Sequence, residues 1–113
     1  MNAKEEHVLS ECGFISSDHK AHATEYKHKN IVIYTVDIKQ LNVVINPEDY
    51  VYMKGFDCEK IHNSNFTVFL KELNNGENEI HYGYKIVFDD SLSMKQFLLD
   101  YLKYKEKQPV KGN

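Results

Sequence analysis

Histidine and cysteine side chains are the groups of this chain whose spacing could serve metal chemistry. His19 and His22 lie three residues apart in a polar segment, with His28 following, and Cys58 and His62 lie four residues apart. A structural zinc site closes with four ligands, so each of these pairs needs a second pair at a matching distance. The sequence has no such pair and no Cys-x-x-Cys motif. We therefore expect no metal site and no cofactor.

Two catalytic arrangements deserve consideration, a cysteine nucleophile and a pair of carboxylates. Cys12 or Cys58 would need a base to activate the thiol and a third group to hold that base, and nothing close in sequence supplies them. Asp89 and Asp90 could serve acid–base chemistry or bind Mg²⁺, but they directly precede a predicted helix, where acids commonly stabilise the first turn. The 5 glycines are scattered, so no glycine-rich phosphate loop is predicted. We predict no catalytic residues.

Aromatic side chains are the most abundant candidates for binding, with 8 tyrosines and 6 phenylalanines. Tyrosine on a sheet usually packs into the core with its hydroxyl at the rim, and protein interfaces also favour it. One stretch without clear periodicity combines aromatic rings with carboxylates. Its members are the predicted binding residues: Glu48, Asp49, Tyr50, Tyr52, Phe56 and Asp57.

The segment from 47 to 64 has two interpretations. As a long irregular connection in a compact domain, it would carry function, and its carboxylates would favour a basic partner. Alternatively, residues 50–53 form a fifth strand that turns its tyrosines inward.

Helices are predicted at both ends of the chain. Residues 2–12 have a narrow apolar face and end at Gly13, which can supply a left-handed stop. Near the C-terminus, Ser93 and Gln96 have the spacing of a capping box. The apolar side chains that follow form one continuous helical stripe: Met94, Phe97, Leu98, Tyr101 and Leu102.

Between the helices, the sequence predicts two antiparallel hairpins. The first joins residues 31–36 to residues 41–45, because both stretches are apolar and rich in β-branched residues and their connection is short. The second joins residues 66–73 to residues 80–88 through Asn75-Gly76, a strong turn signal.

The predicted fold is a two-layer α+β sandwich of order α-β-β-β-β-α. Both helices would cover one face of an antiparallel sheet of about four strands, and the opposite face would be wholly or partly exposed. The polar residues 16–24 are predicted as a loop. A single α+β domain is expected over residues 1–107, with a flexible tail at 108–113.

Composition restricts the class of protein. Hydrophobic residues make up 42% of the 113 residues, which is enough to bury a core in one domain. No apolar run approaches the roughly 20 residues of a membrane helix, and the N-terminus lacks the apolar region of a signal peptide, so we expect a cytoplasmic protein without membrane contact. All 14 basic residues are lysine and the net charge is −3, so nucleic acid is not the expected partner.

Three functions from different classes remain open. The leading one is a small non-catalytic module that binds another protein, of the inhibitor, immunity or phage or bacterial accessory type. The alternative is a small enzyme or small-molecule binder, with a pocket between sheet and helices near Cys58, His81 and Tyr82. The third is a nucleic-acid-associated protein that stacks bases on the tyrosines of an exposed sheet face.

Overall fold

The computed structural model describes residues 3–20, 22–74, 76 and 78–108. Its elements, in chain order, are α1 (Ala3–Glu11), β1 (Ile15–His19), β2 (Ala23–His28), β3 (Ile31–Val36), β4 (Leu41–Ile45), a 3₁₀ turn (Pro47–Asp49), α2 (Tyr50–Met53), β5 (Glu59–His62), β6 (Lys71–Asn74), β7 (Asn78–Phe88) and α3 (Ser91–Glu106). Residues 109–113 of the expected tail and the turn residue Asn75 lie outside the described residues.

The strands form one antiparallel sheet that curls into a half-barrel. Its order is β1-β2-β3-β4-β7-β5, and β6 pairs with the first residues of β7, beyond the end of β4. The predicted sandwich with about four strands is therefore wrong, because the described part of the chain forms seven strands. The helices at the two ends are confirmed.

One face of the sheet carries the main core. Helices α1 and α3 pack against each other and against β4, and α3 also contacts β7. Met94, Phe97, Leu98 and Tyr101 of α3 are buried here, as the helical stripe predicts, whereas Leu102 is only half-buried. The cap of α3 differs from the prediction, since the side chain of Asp90 accepts from the Ser93 backbone amide at 2.7 Å.

The opposite face of the sheet is covered in part, so of the two expected arrangements it is partly rather than wholly exposed. Residues 66–69, predicted as the start of a strand, form turns that place Phe66 and Phe69 on this face. Both rings contact Tyr34 of β3, with ring centroids 5.0 and 4.8 Å away. Of the predicted strand 66–73, only residues 71–73 pair with β7, as part of β6. A second, smaller core therefore covers part of this face.

The polar stretch predicted as a loop forms β1 and the beginning of β2. Serine, aspartate and histidine dominate β1, which lies at the edge of the sheet, where polar side chains can face water. The β2–β3 turn has Lys29 at φ 56°, a left-handed conformation usually signalled by glycine. These two features conceal the extra strands from sequence patterns.

The segment from 47 to 64 fits neither interpretation drawn from its sequence. Asn46 accepts a hydrogen bond from the Glu48 amide and Pro47 starts the 3₁₀ turn, which continues into α2. Residues 50–53 are therefore helical rather than a strand. The fifth strand lies further along, at Glu59–His62, where it pairs with β7.

None of the helices in the described ranges combines the length and the apolar composition needed to cross a membrane.

Candidate functional site

The structure divides the six predicted binding residues between the interior and the surface. Asp49 is only 3% exposed, and its carboxylate accepts hydrogen bonds from the Tyr101 hydroxyl at 2.6 Å and the Lys105 ammonium at 3.2 Å. Glu48 forms an ion pair with the same lysine at 3.7 Å. Burial, together with the charge of Asp49, raises the pKa of Tyr101, so this hydroxyl remains a neutral donor. These two carboxylates are therefore engaged within the fold.

Tyr52 and Phe56 pack toward α3. The ring of Tyr52 lies 4.8 Å from that of Tyr104 and 5.9 Å from that of Phe97, and Phe56 lies 5.0 Å from Phe97. Burial raises the pKa of Tyr52. Both residues thus contribute to holding α2 on α3, although the edge of Phe56 remains exposed.

Within the described residues, Tyr50 and Asp57 face outward without contacts to α3 or Lys105, whereas Glu48 and Phe56 are exposed but make such contacts. Tyr50 is 43% exposed, and its neighbour Val51 is 71% exposed. Asp57 is exposed and forms no ion pair with the described residues. One turn of helix explains the division, because residues two positions apart, such as 50 and 52, point in nearly opposite directions.

Tyr50 begins a continuous series of rings on the face of the sheet that also carries the main core. Its ring centroid is 4.7 Å from that of Tyr84, Tyr84 is 6.2 Å from Tyr82, and Tyr82 is 5.9 Å from His62. We call these four residues the aromatic row. Strand alternation places Tyr82 and Tyr84 on one face of β7, and the register of β5 sets His62 opposite Tyr82.

The aromatic row begins at the margin of the main core, which Tyr84 contacts, and continues along β7 to Tyr82. Further along β7, Ile86 is buried and Phe88 packs against Phe97 of α3 at 5.4 Å. Tyr84 and Tyr82 precede them on the same face and are half-buried. The sheet therefore changes from a covered core to an accessible aromatic surface along one strand.

A charged cluster borders the aromatic row. Glu72 of β6 bonds to the Lys60 ammonium at 3.2 Å and to His62 Nε2 at 2.8 Å. The hydrogen bond to Glu72 raises the pKa of Lys60, whose ammonium lies 5.2 Å from the centre of the Tyr82 ring. This arrangement keeps a cation on the tyrosine face and orients His62.

The metal and nucleophile candidates are dispersed. His19 bonds to Thr24 Oγ1 at 2.8 Å, and His28 Nδ1 bonds to the Gly13 carbonyl at 3.0 Å. Within the described ranges, no three or more histidine, cysteine, aspartate or glutamate residues are grouped to hold a metal ion. Burial raises the thiol pKa of both Cys12 and Cys58, which opposes nucleophilic activation.

Sequence patterns identified Tyr50 but not the rest of the aromatic row. The alternation of Tyr82 and Tyr84 along β7 was the available signal, since it places both rings on one face. His62 and Lys60 could not be added, because β5 has no apolar alternation and its pairing with β7 is not visible in the sequence. The chain matches no protein-family model and no curated protein.

Proposed function

We propose that this protein is a small non-catalytic module that binds another protein through the aromatic row. The observation that carries the proposal is the unbroken contact of rings from Tyr50 through Tyr84 and Tyr82 to His62 on an accessible part of the sheet. Tyrosine side chains offer large contact areas and have few rotatable bonds to immobilise, so they make effective anchors. The exposed side chain of Val51 adds apolar area beside Tyr50.

The expected partner is a protein segment with cationic and apolar side chains. Tyrosine faces attract ammonium and guanidinium groups, and because Lys60 already lies above Tyr82, a cation of the partner would contact Tyr50 or Tyr84. Asp57 lies in the segment that follows Tyr50 and forms no ion pair in the described structure, so its charge is available to a basic group. Glu48 and Asp49 both form ion pairs with Lys105. They therefore offer a basic partner less negative charge than the sequence suggests.

Protein is preferred over nucleic acid as the partner. Bases would also stack on tyrosines, but the Glu72 carboxylate borders the row at His62 and the chain has no arginine for phosphate contacts. We also propose a cytoplasmic location, supported by the two free thiols, Cys12 and Cys58, which suit a reducing compartment.

Site-specific photo-crosslinking tests this proposal in cells that express the protein. A photoreactive phenylalanine analogue would replace Tyr82 in one variant and Leu92 in a control, since Leu92 is 76% exposed on α3, outside the row. We expect one protein to be captured from position 82 and not from position 92. The captured protein, once purified, should bind the unmodified chain directly.

Three outcomes would contradict the proposal. The first is equal capture from both positions, and the second is capture of nucleic acid from position 82. The third is capture of only a second copy of this chain, which would show that the row mediates self-association rather than binding to a different protein.

A further inference from the structure

A groove unrelated to the aromatic row lies between α3 and the tip of the β2–β3 hairpin. Its volume is about 510 Å³, within the range of pockets that hold small organic ligands. The hairpin contributes His28, Lys29 and Ile31 to its lining. Helix α3 contributes one face of side chains: Gln96, Leu99, Leu102, Lys103 and Glu106.

Three of the residues that line the groove are aliphatic. Ile31 and Leu102 are half-buried, and Leu99 is 38% exposed. Leu99 and Leu102 lie three residues apart on α3 and so share a helical face. Three aliphatic side chains therefore present accessible surface that a ligand could cover.

The charged residues of the groove favour an anion. Lys29 and Lys103 form no ion pair with any described residue, and Glu106 is the one carboxylate among the described lining residues. The groove thus carries more positive than negative side chains, although the chain as a whole has a net charge of −3. An anionic ligand would supply the counter-charge.

The hairpin tip is held in position by close contacts. His28 Nδ1 lies 3.0 Å from the Gly13 carbonyl oxygen, and the His28 ring packs 5.6 Å from Phe14. Gly13 permits this approach, because a Cβ atom at its position would lie 2.7 Å from His28 Nδ1. The adjacent Lys29 has a left-handed φ of 56°, a conformation that costs energy in a lysine. The hairpin side of the groove is therefore preorganised for a ligand.

We propose that this groove binds a small, free amphipathic anion, such as a medium-chain carboxylate. The apolar chain would lie against Ile31, Leu99 and Leu102, and the carboxylate would lie between Lys29 and Lys103. His28 stands at the same wall as a further polar contact. This site is separate from the aromatic row and does not depend on protein binding there.

An NMR titration with sodium octanoate tests the proposal on the full chain. We expect saturable shifts of the backbone amide signals of residues 28–31 and 96–106. Octan-1-ol and octyltrimethylammonium provide neutral and cationic probes with the same apolar chain, and both should bind about two- to fivefold more weakly, as expected for the loss of partly exposed charge contacts. Equal binding of all three probes would overturn the assignment of an anion site.

Matched variants locate the site. Leu99→Gln should weaken octanoate binding about tenfold, through lost apolar contact, and Lys103→Gln about two- to fivefold. The controls are Leu92→Gln in the first turn of α3 and Lys107→Gln directly after its last residue, and both should bind as the wild type does. Octanoate shifts outside the groove, or equal losses in the variants and their controls, would overturn the proposal.

Discussion

The Tyr101 hydroxyl donates a 2.6 Å hydrogen bond to the buried carboxylate of Asp49, a residue 52 positions away in sequence. The bond joins α3 to the 3₁₀ turn, and the Lys105 ammonium adds a second contact to the same carboxylate at 3.2 Å. Helix α2 continues directly from this turn. The bond therefore also helps to fix the position of Tyr50, the first residue of α2. The position of Tyr50 in the proposed binding surface therefore depends on a buried polar contact outside that surface.

Tyr101→Phe should destabilise the fold by about 1–3 kcal/mol, because it leaves a buried carboxylate without one of its donors. Urea unfolding measures the loss. Tyr104→Phe is the matched control, since Tyr104 is half-buried on the same helix and its hydroxyl forms no hydrogen bond with the described residues. The control should change stability by less than about 0.5 kcal/mol. Equal losses in the two variants would show that the Asp49 contact contributes nothing specific.

Gly83→Ala should cost about 1–3 kcal/mol through overpacking of the second core. A Cβ atom at this position would lie 2.6 Å from Val44 Cγ1 and 3.1 Å from the Ile45 carbonyl oxygen. Gly55→Ala provides the comparison, because no described atom beyond its chain neighbours lies within 4 Å of a Cβ placed there. Thermal unfolding of both variants should show a lower Tm only for the change at Gly83. A normal Tm for Gly83→Ala would mean that β7 and Phe69 are less tightly packed than described.

The parts of the fold that sequence patterns predicted correctly have strong local signals. Helix α3 has a continuous apolar stripe, and β4 is a short β-branched run ended by Asn46-Pro47. Strands β1, β2 and β5 were missed. Of these, β1 and β5 lie at the sheet edges and consist largely of polar and charged residues. Their pairing depends on contacts with distant strands, which a local pattern does not contain.

The predicted binding segment shows the same limit. Composition drew attention to residues 48–57, and of the predicted residues Tyr50 and Asp57 are exposed. Asp49 and Tyr52 point inward because a helical turn, rather than an irregular loop, sets their directions. The remaining members of the aromatic row come from β5 and β7, so only the tertiary fold brings them to Tyr50.

The buried carboxyl of Glu5 should make stability depend on pH. Its carboxylate oxygen Oε2 accepts from the Asn42 backbone amide at 2.8 Å. Burial raises the pKa of Glu5 from its ordinary value of 4.5 to about 7, so the folded chain holds a proton that the unfolded chain releases. The stability contributed by the protonated carboxyl is present below pH 4.5 and is lost as the pH rises to about 7.

Glu5→Gln removes this titration and keeps an oxygen acceptor for Asn42. The variant should exceed the wild type in stability by about 1–3 kcal/mol at pH 8 and should differ little from it at pH 4.5. Denaturant unfolding at both pH values measures the difference. Glu6→Gln, at an exposed neighbouring position, should show no such pH dependence. A gap between Glu5→Gln and wild type that stays constant with pH would contradict the expected titration.

The affinity of the crosslinked partner for a variant with both Tyr50→Ala and Tyr82→Ala tests the central claim most directly. These changes remove two anchors of the aromatic row, so calorimetry should record binding weaker by more than about 2 kcal/mol, or about 30-fold. The control carries Ile15→Ala and Leu92→Ala, which alter two highly exposed apolar residues outside the row and should leave the affinity unchanged. Melting curves on the same samples confirm that each variant is folded. An affinity for the folded Tyr50→Ala, Tyr82→Ala variant within about twofold of wild type, a difference of roughly 0.4 kcal/mol, would contradict the account.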